Sequence, residues 1–192
     1  YYENDSSKLN YNMSENYIEP MKLPQYYQAD DRWGAKRYGL SNMKLTGCVP
    51  TALAMAISGL KEDVNPVQVA DFLYNMTMEL NTTFLGTSSL GVQEVVSQWG
   101  LNYKVIDSKE ELEKTLKNGT LVYGAVGHGI FVNGYSTHAV LLTGYENGKT
   151  KAFDPDNMAK TNKWYNIDDI WKERSLAPED NMTGGAFIAI YK

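Results

Sequence analysis

The chain has 192 residues, 43% of them hydrophobic and 12% aromatic, a globular composition at a length that suits one domain with a sizeable core. Its net charge of −5, with acidic and basic residues interspersed, argues against nucleic acid as the main partner and leaves no polybasic patch for a membrane surface. The single cysteine excludes an internal disulfide framework and a cysteine-rich zinc site, and no apolar run reaches the length of a membrane span.

Residues 1–20 are polar, rich in Asn, Ser, Glu and Tyr, and lack helical or alternating periodicity. They read as an N-terminal tail or linker, with one globular domain expected over 21–192. The chain starts at Tyr1 rather than Met, which sets the expectation of a removed secretion signal and a secreted or surface protein of a Gram-positive-type bacterium. Met21 to Gln28 opens the globular part, and Ala29-Asp30-Asp31-Arg32-Trp33-Gly34 follows as a loop.

The stretch Thr46-Gly47-Cys48-Val49-Pro50-Thr51, followed by Ala52 to Leu60, reads as a loop turning into a helix. Proline suits the first turn, and a helix with almost no polar face is a buried one. A thiol at its N-terminus meets the positive end of the helix dipole and unpaired N–H groups, which favour thiolate. A lone cysteine is more commonly a small buried hydrophobe. Here its place ahead of a helix start, between glycine and proline, points to a nucleophile instead.

Asn65-Pro66 caps the next helix, with Val67, Ala70, Leu73 and Tyr74 at helical spacing. Asn81–Ser89 is expected as loop, Leu90–Trp99 as helix stopped by Gly100, and Leu101–Ile106 as strand. Ser108 and Glu111 form a capping box for a helix that ends at Asn118-Gly119. Thr120–Val126 reads as strand and Gly127-His128-Gly129 as loop, with His128 a surface or loop residue. His138–Tyr145 is a buried strand, Glu146-Asn147-Gly148-Lys149 a hairpin turn, and Thr150–Phe153 the partner strand ending at Asp154-Pro155. A short helix over Asp168–Glu173 and a last strand over Gly185–Tyr191 close an α+β order.

His138 begins a rigid strand and suits a base facing a cleft. Asp154 ends the partner strand, where its carboxylate is expected to accept Nδ1–H of His138 and hold the tautomer. Register tests this pairing. If Tyr145 pairs with Thr150, Asp154 lies opposite Leu141 and points away from the His138 face. A three-residue loop or one bulge shifts the pairing by one and puts both side chains on one face. A triad therefore predicts an irregularity in this hairpin. Gln28 is the candidate for an oxyanion site, its side-chain amide acting with the backbone N–H of Cys48.

These pieces carry a resemblance. Gln28-Ala29-Asp30 with Trp33, Gly47-Cys48-Val49-Pro50-Thr51-Ala52, Lys117 to Val122, His138 to Tyr145 and Phe153-Asp154-Pro155 occur in an order similar to the bacteriocin-processing (double-glycine leader) peptidase-like family, among the papain-like cysteine peptidases. The chain resembles its stand-alone branch. The resemblance implies a papain-like α+β fold, with the cysteine on a central helix and the His and Asp on a facing antiparallel sheet. It implies Cys48 as nucleophile, His138 as base and acid, Asp154 as orienting group and Gln28 as oxyanion donor. Two features depart from it. Val49 stands where the family often has glycine, and no accompanying transporter is seen, so double-glycine substrates do not follow.

The expected function is peptide-bond hydrolysis by a cysteine peptidase, with a peptide or protein substrate, no metal, no organic cofactor, no membrane insertion and a monomeric state. The same groups would serve an acyltransferase, a transglutaminase-like cross-linker or a cell-wall amidase, and a non-catalytic surface binding module would retain the fold alone.

Overall fold

The computed structural model describes residues 17–76 and 87–192. Its centre is helix α2 (Cys48–Leu60), preceded by a single turn of helix, α1 (Met43–Thr46). From Val49 to Ile57 every residue of α2 is buried, Thr51 included, as its almost wholly apolar sequence predicts. Gly47 joins the two helices, and a Cβ there would lie 2.5 Å from the Met43 carbonyl oxygen, so only glycine lets the chain turn this closely into Cys48.

Helices α3 (Pro66–Met76) and α4 (Ser89–Gln98) pack against α2. Asn65 caps α3 as expected: its Oδ1 accepts from Gln68 N at 3.0 Å, while Gln68 Oε1 accepts from Asn65 N at 2.9 Å. Ser88 Oγ caps α4 by accepting from Gly91 N, so the helix begins one residue before the expected Leu90. Residues 81–86 of the expected loop lie outside the described residues. Helix α5 (Lys109–Lys117) starts at the predicted Ser108 cap, where Ser108 Oγ accepts from Glu111 N at 3.1 Å.

Among the described residues the sheet has seven strands. Short β1 (Tyr17–Ile18) is followed by a small separate pair, β2 (Arg37–Tyr38) and β3 (Ser41–Asn42). Then come β4 (Asn102–Ile106), β5 (Leu121–Val126), β6 (His138–Glu146), β7 (Lys149–Phe153), β8 (Lys163–Asn166) and β9 (Phe187–Tyr191), with α6 (Ile167–Lys172) between the last two. The order is β4-β9-β5-β6-β7-β8, every pair antiparallel, with α2 packed on β5 and β6. Strand β1, within the stretch expected as a tail, pairs with the end of β6 through Ile18↔Tyr145 and Tyr17↔Glu146. Strands β1 and β8 carry no sequence signal strong enough to mark them; neighbouring strands induce them.

The β6–β7 hairpin contains the predicted irregularity. Its turn is a two-residue one, Asn147 and Gly148 both at positive φ (46° and 80°), and Glu146 pairs with Lys149. Between Glu146 and Thr143 the register slips by one, so that Thr143↔Lys151 and Leu141↔Phe153 pair thereafter. Gly144 forms the bulge at φ 80°, and its carbonyl accepts from buried Thr150 Oγ1 at 2.8 Å. Pro20 lies against Gly144, 2.7 Å from where a Cβ would stand. Asp154 consequently falls opposite Val140, on the same face as His138.

Gly144→Val forces a left-handed backbone and a clash with Pro20. We expect it to lower unfolding free energy by about 2–4 kcal/mol in urea denaturation. The neighbouring exposed-turn change Asn147→Asp should cost well under ~1 kcal/mol.

Candidate active site

Cys48 is the first residue of α2, partly exposed at the helix N-terminus. His138 is the first residue of β6, pairing with Val126, its side chain 10% exposed. Asp154 follows β7 and is fully buried. The bulged register brings the last two together: His138 Nε2 lies 2.7 Å from Asp154 Oδ1. The imidazole also lies close enough to the Cys48 side chain for that group to raise its pKa. With Nε2 engaged by the carboxylate, Nδ1 is the nitrogen left for any other partner. This corrects the expectation that Nδ1–H serves Asp154. The carboxylate sits on the neighbouring strand, and only the distal ring nitrogen reaches that far.

Asp154 is held rigidly. Its Oδ1 also accepts from Asp156 N at 2.8 Å and Asn157 N at 3.2 Å, the turn that Asp-Pro begins. Its own N–H donates to Thr161 Oγ1, which donates to Gln25 Oε1, and Gln25 Nε2 contacts Met55 Sδ within α2. Strand end and the cysteine-bearing helix are thereby linked through side chains.

Gln28 is buried beside this turn, with its N–H donating to Pro155 O at 2.8 Å. Its Nε2 donates to Lys44 O at 2.9 Å, four residues ahead of Cys48. One amide N–H is therefore spent on the α1 backbone and a second remains. The loop that seats Gln28 is braced by Trp33, whose Nε1 donates to Tyr27 O at 2.7 Å and whose ring packs edge-on against Tyr26. His128, as expected, is a loop residue: its exposed ring meets Gly134 O at 3.2 Å.

Burial alone would push the His138 imidazole down. The hydrogen bond to Asp154 and the neighbouring Cys48 side chain, with their charges, outweigh it and hold the pKa up at about 10. A positive ring at neutral pH is therefore built into the site.

Reading residues in isolation missed the cleft wall: Tyr123, Thr87, Thr137 and Asp180 line the space next to Cys48 and His138. Asp180 lies in a short 3-10 turn (Pro178–Asp180) whose position depends on β9 and α6, and no local pattern marks it. Among the described residues, no group of three His, Cys, Asp or Glu side chains is placed to hold a metal ion, and no helix is long and apolar enough to cross a membrane.

A buried helix bearing a cysteine, packed on an antiparallel sheet that carries a His–Asp pair, defines a papain-like α+β cysteine peptidase. The chain belongs to the Peptidase_C39 like family, whose model matches residues 21–183. The fold is similar to a structure from Bacillus anthracis described as a candidate C39-like peptidase, at 16% identity and a TM-score of 0.60, covering 91% of this chain and 98% of that one. It is also similar to the peptidase domain of Streptococcus ComA, a bi-functional ABC transporter involved in a quorum-sensing pathway, at 18% identity and a TM-score of 0.55, covering 82% and 96%. A double-glycine-motif protease from an AMS/PCAT transporter, in complex with its leader peptide, matches at 19% identity and a TM-score of 0.50, covering 90% and 91%. Comparison with curated protein sequences returns no match.

Because the folded pKa of His138 stands above the unfolded value of about 6.5, its stabilising contribution is complete below that value and lost as pH rises through about 10. The urea midpoint of the wild type relative to His138→Gln should therefore fall steadily between ~pH 7 and ~pH 10. A flat difference would contradict the raised pKa.

Proposed function

We propose that the chain hydrolyses peptide bonds with Cys48 as nucleophile, His138 as acid and base, Asp154 as orienting group and Gln28 with the Cys48 N–H as oxyanion donors. The observation that carries this reading is the 2.7 Å His138–Asp154 bond on an imidazole that also lies close to the cysteine at a helix N-terminus. The sulfur attacks the carbonyl carbon as thiolate, and the carbonyl electrons move to oxygen. Collapse expels the amine, which takes its proton from Nδ1 of His138. Water then attacks the thioester, His138 accepts its proton, and thiolate leaves.

A peptide is the substrate class we infer. The cleft beside Cys48 is narrow, and exposed apolar side chains stand close in sequence to residues that line it: Leu45 three residues ahead of Cys48, and Leu176 and Met182 on either side of the Asp180 turn. One structural neighbour is itself in complex with a leader peptide.

Alkylation of native Cys48 by iodoacetamide below pH 8 should exceed that of the unfolded chain and slow by about 10²-fold or more in His138→Ala. Cys48→Ala should abolish hydrolysis of a peptide library while leaving the circular dichroism spectrum unchanged. Gln28→Ala should lower kcat by about 10²–10³-fold with little change in KM. Alkylation indifferent to His138 would sink the proposal.

A further inference from the structure

Asp154 is held unevenly. Its Oδ1 takes three donors, His138 Nε2 at 2.7 Å and the N–H groups of Asp156 and Asn157. Its Oδ2 is buried, and no donor among the described residues reaches it. A carboxylate held by one oxygen can turn about that oxygen, so its direction rests on the backbone that carries it. That backbone is tied by a side chain: the Asp154 N–H donates to Thr161 Oγ1 at 2.9 Å.

Thr161 sits where the loop after Asp154 returns to the sheet. Its N–H donates to Asn157 O at 3.1 Å, and the next residue, Asn162, donates to Ala152 O at 2.8 Å. The hydroxyl has one proton to give, and it goes to Gln25 Oε1 at 3.1 Å. Gln25 Nε2 lies 3.7 Å from Met55 Sδ, about two turns into the helix that starts at Cys48. Three residues on, Gln28 N–H donates to Pro155 O at 2.8 Å, so the segment bearing Gln25 meets the Asp154–Thr161 loop at both of its ends. Asp154 is 0% and Thr161 8% exposed, so an Asp154 N–H without its partner is stranded away from bulk water.

We propose that Thr161 and Gln25 are positioning residues: through the Asp154 N–H they fix the carboxylate where it meets the His138 ring, and they refer that place to the helix bearing Cys48. Both act through Asp154 and not on the substrate. Position 161 must accept from Asp154 and donate to Gln25 at once. Serine does both, whereas valine, of threonine's shape, does neither. The inference rests on the peptidase reading and adds to it the residues that set the direction of the orienting carboxylate.

The test reads the imidazole itself. In the chain carrying Cys48→Ala, where no thiol titrates beside it, the His138 ring is followed by NMR against pH, its signal identified by its loss in His138→Gln. Adding Thr161→Val should move the titration down by about one unit, the direction given by a weaker bond to the carboxylate. Thr161→Ser should hold it at the position seen with threonine. Gln25→Met, which keeps an apolar contact with Met55 and removes the acceptor, should move it the same way by about half a unit. Lost packing alone would lower the urea midpoint and leave the titration in place. A titration unmoved in folded Thr161→Val, or in Gln25→Met, overturns the inference, as does a shift that serine fails to prevent. Should Thr161→Val not fold, Gln25→Met decides. Cys48 alkylation indifferent to His138→Ala removes the peptidase reading instead, a result on which the titration does not depend.

Discussion

The His138–Asp154 hydrogen bond is the contact on which the site depends, and it exists because β6 and β7 are out of ideal register by one residue. Side chains on a strand alternate with period two, so without the slip at Gly144 the carboxylate would point to the other face of the sheet. Three local features hold the slip: the positive φ of Gly144, the hydrogen bond from Thr150 to its carbonyl, and the close approach of Pro20. The N-terminal segment takes part as well. Ile18 pairs with Tyr145 inside the bulge, and Met21 N donates to Thr143 Oγ1 at 2.9 Å. A segment with little core of its own therefore helps set the geometry of the His–Asp pair.

The second constraint is the turn into α2. Gly47 allows a one-turn helix to run directly into Cys48, which leaves the thiol partly exposed while the residues behind it are buried. The cysteine-bearing helix is thus fixed by burial, which is non-directional, and the His–Asp side by hydrogen bonds, which are directional. Gln25 and Thr161 join the two, so the facing halves of the cleft do not depend on backbone packing alone.

Much of the architecture was legible in the residues. The apolar run after Cys48, the Asn65 and Ser108 caps, and the Asn147-Gly148 turn each rest on a local physical rule, and each stands where it was expected. Strands β1 and β8 were not legible, because their pairing is supplied by β6 and β7 rather than by their own composition. The ring nitrogen facing Asp154 was misassigned, since that choice follows from a rotamer and a cross-strand distance that no pattern encodes.

The sequence by itself determined a lone cysteine at the start of a buried helix, a histidine opening a buried strand, and an aspartate closing its hairpin partner. It also determined that these three share a face only if the hairpin is irregular. Tertiary structure decided where that irregularity falls, which imidazole nitrogen meets the carboxylate, and that Asp180 lines the space next to Cys48. The reason is the range of the forces involved. Caps, turns and periodicity act over a few residues and are written locally, whereas register and cleft walls arise from contacts between strands and loops far apart in the chain.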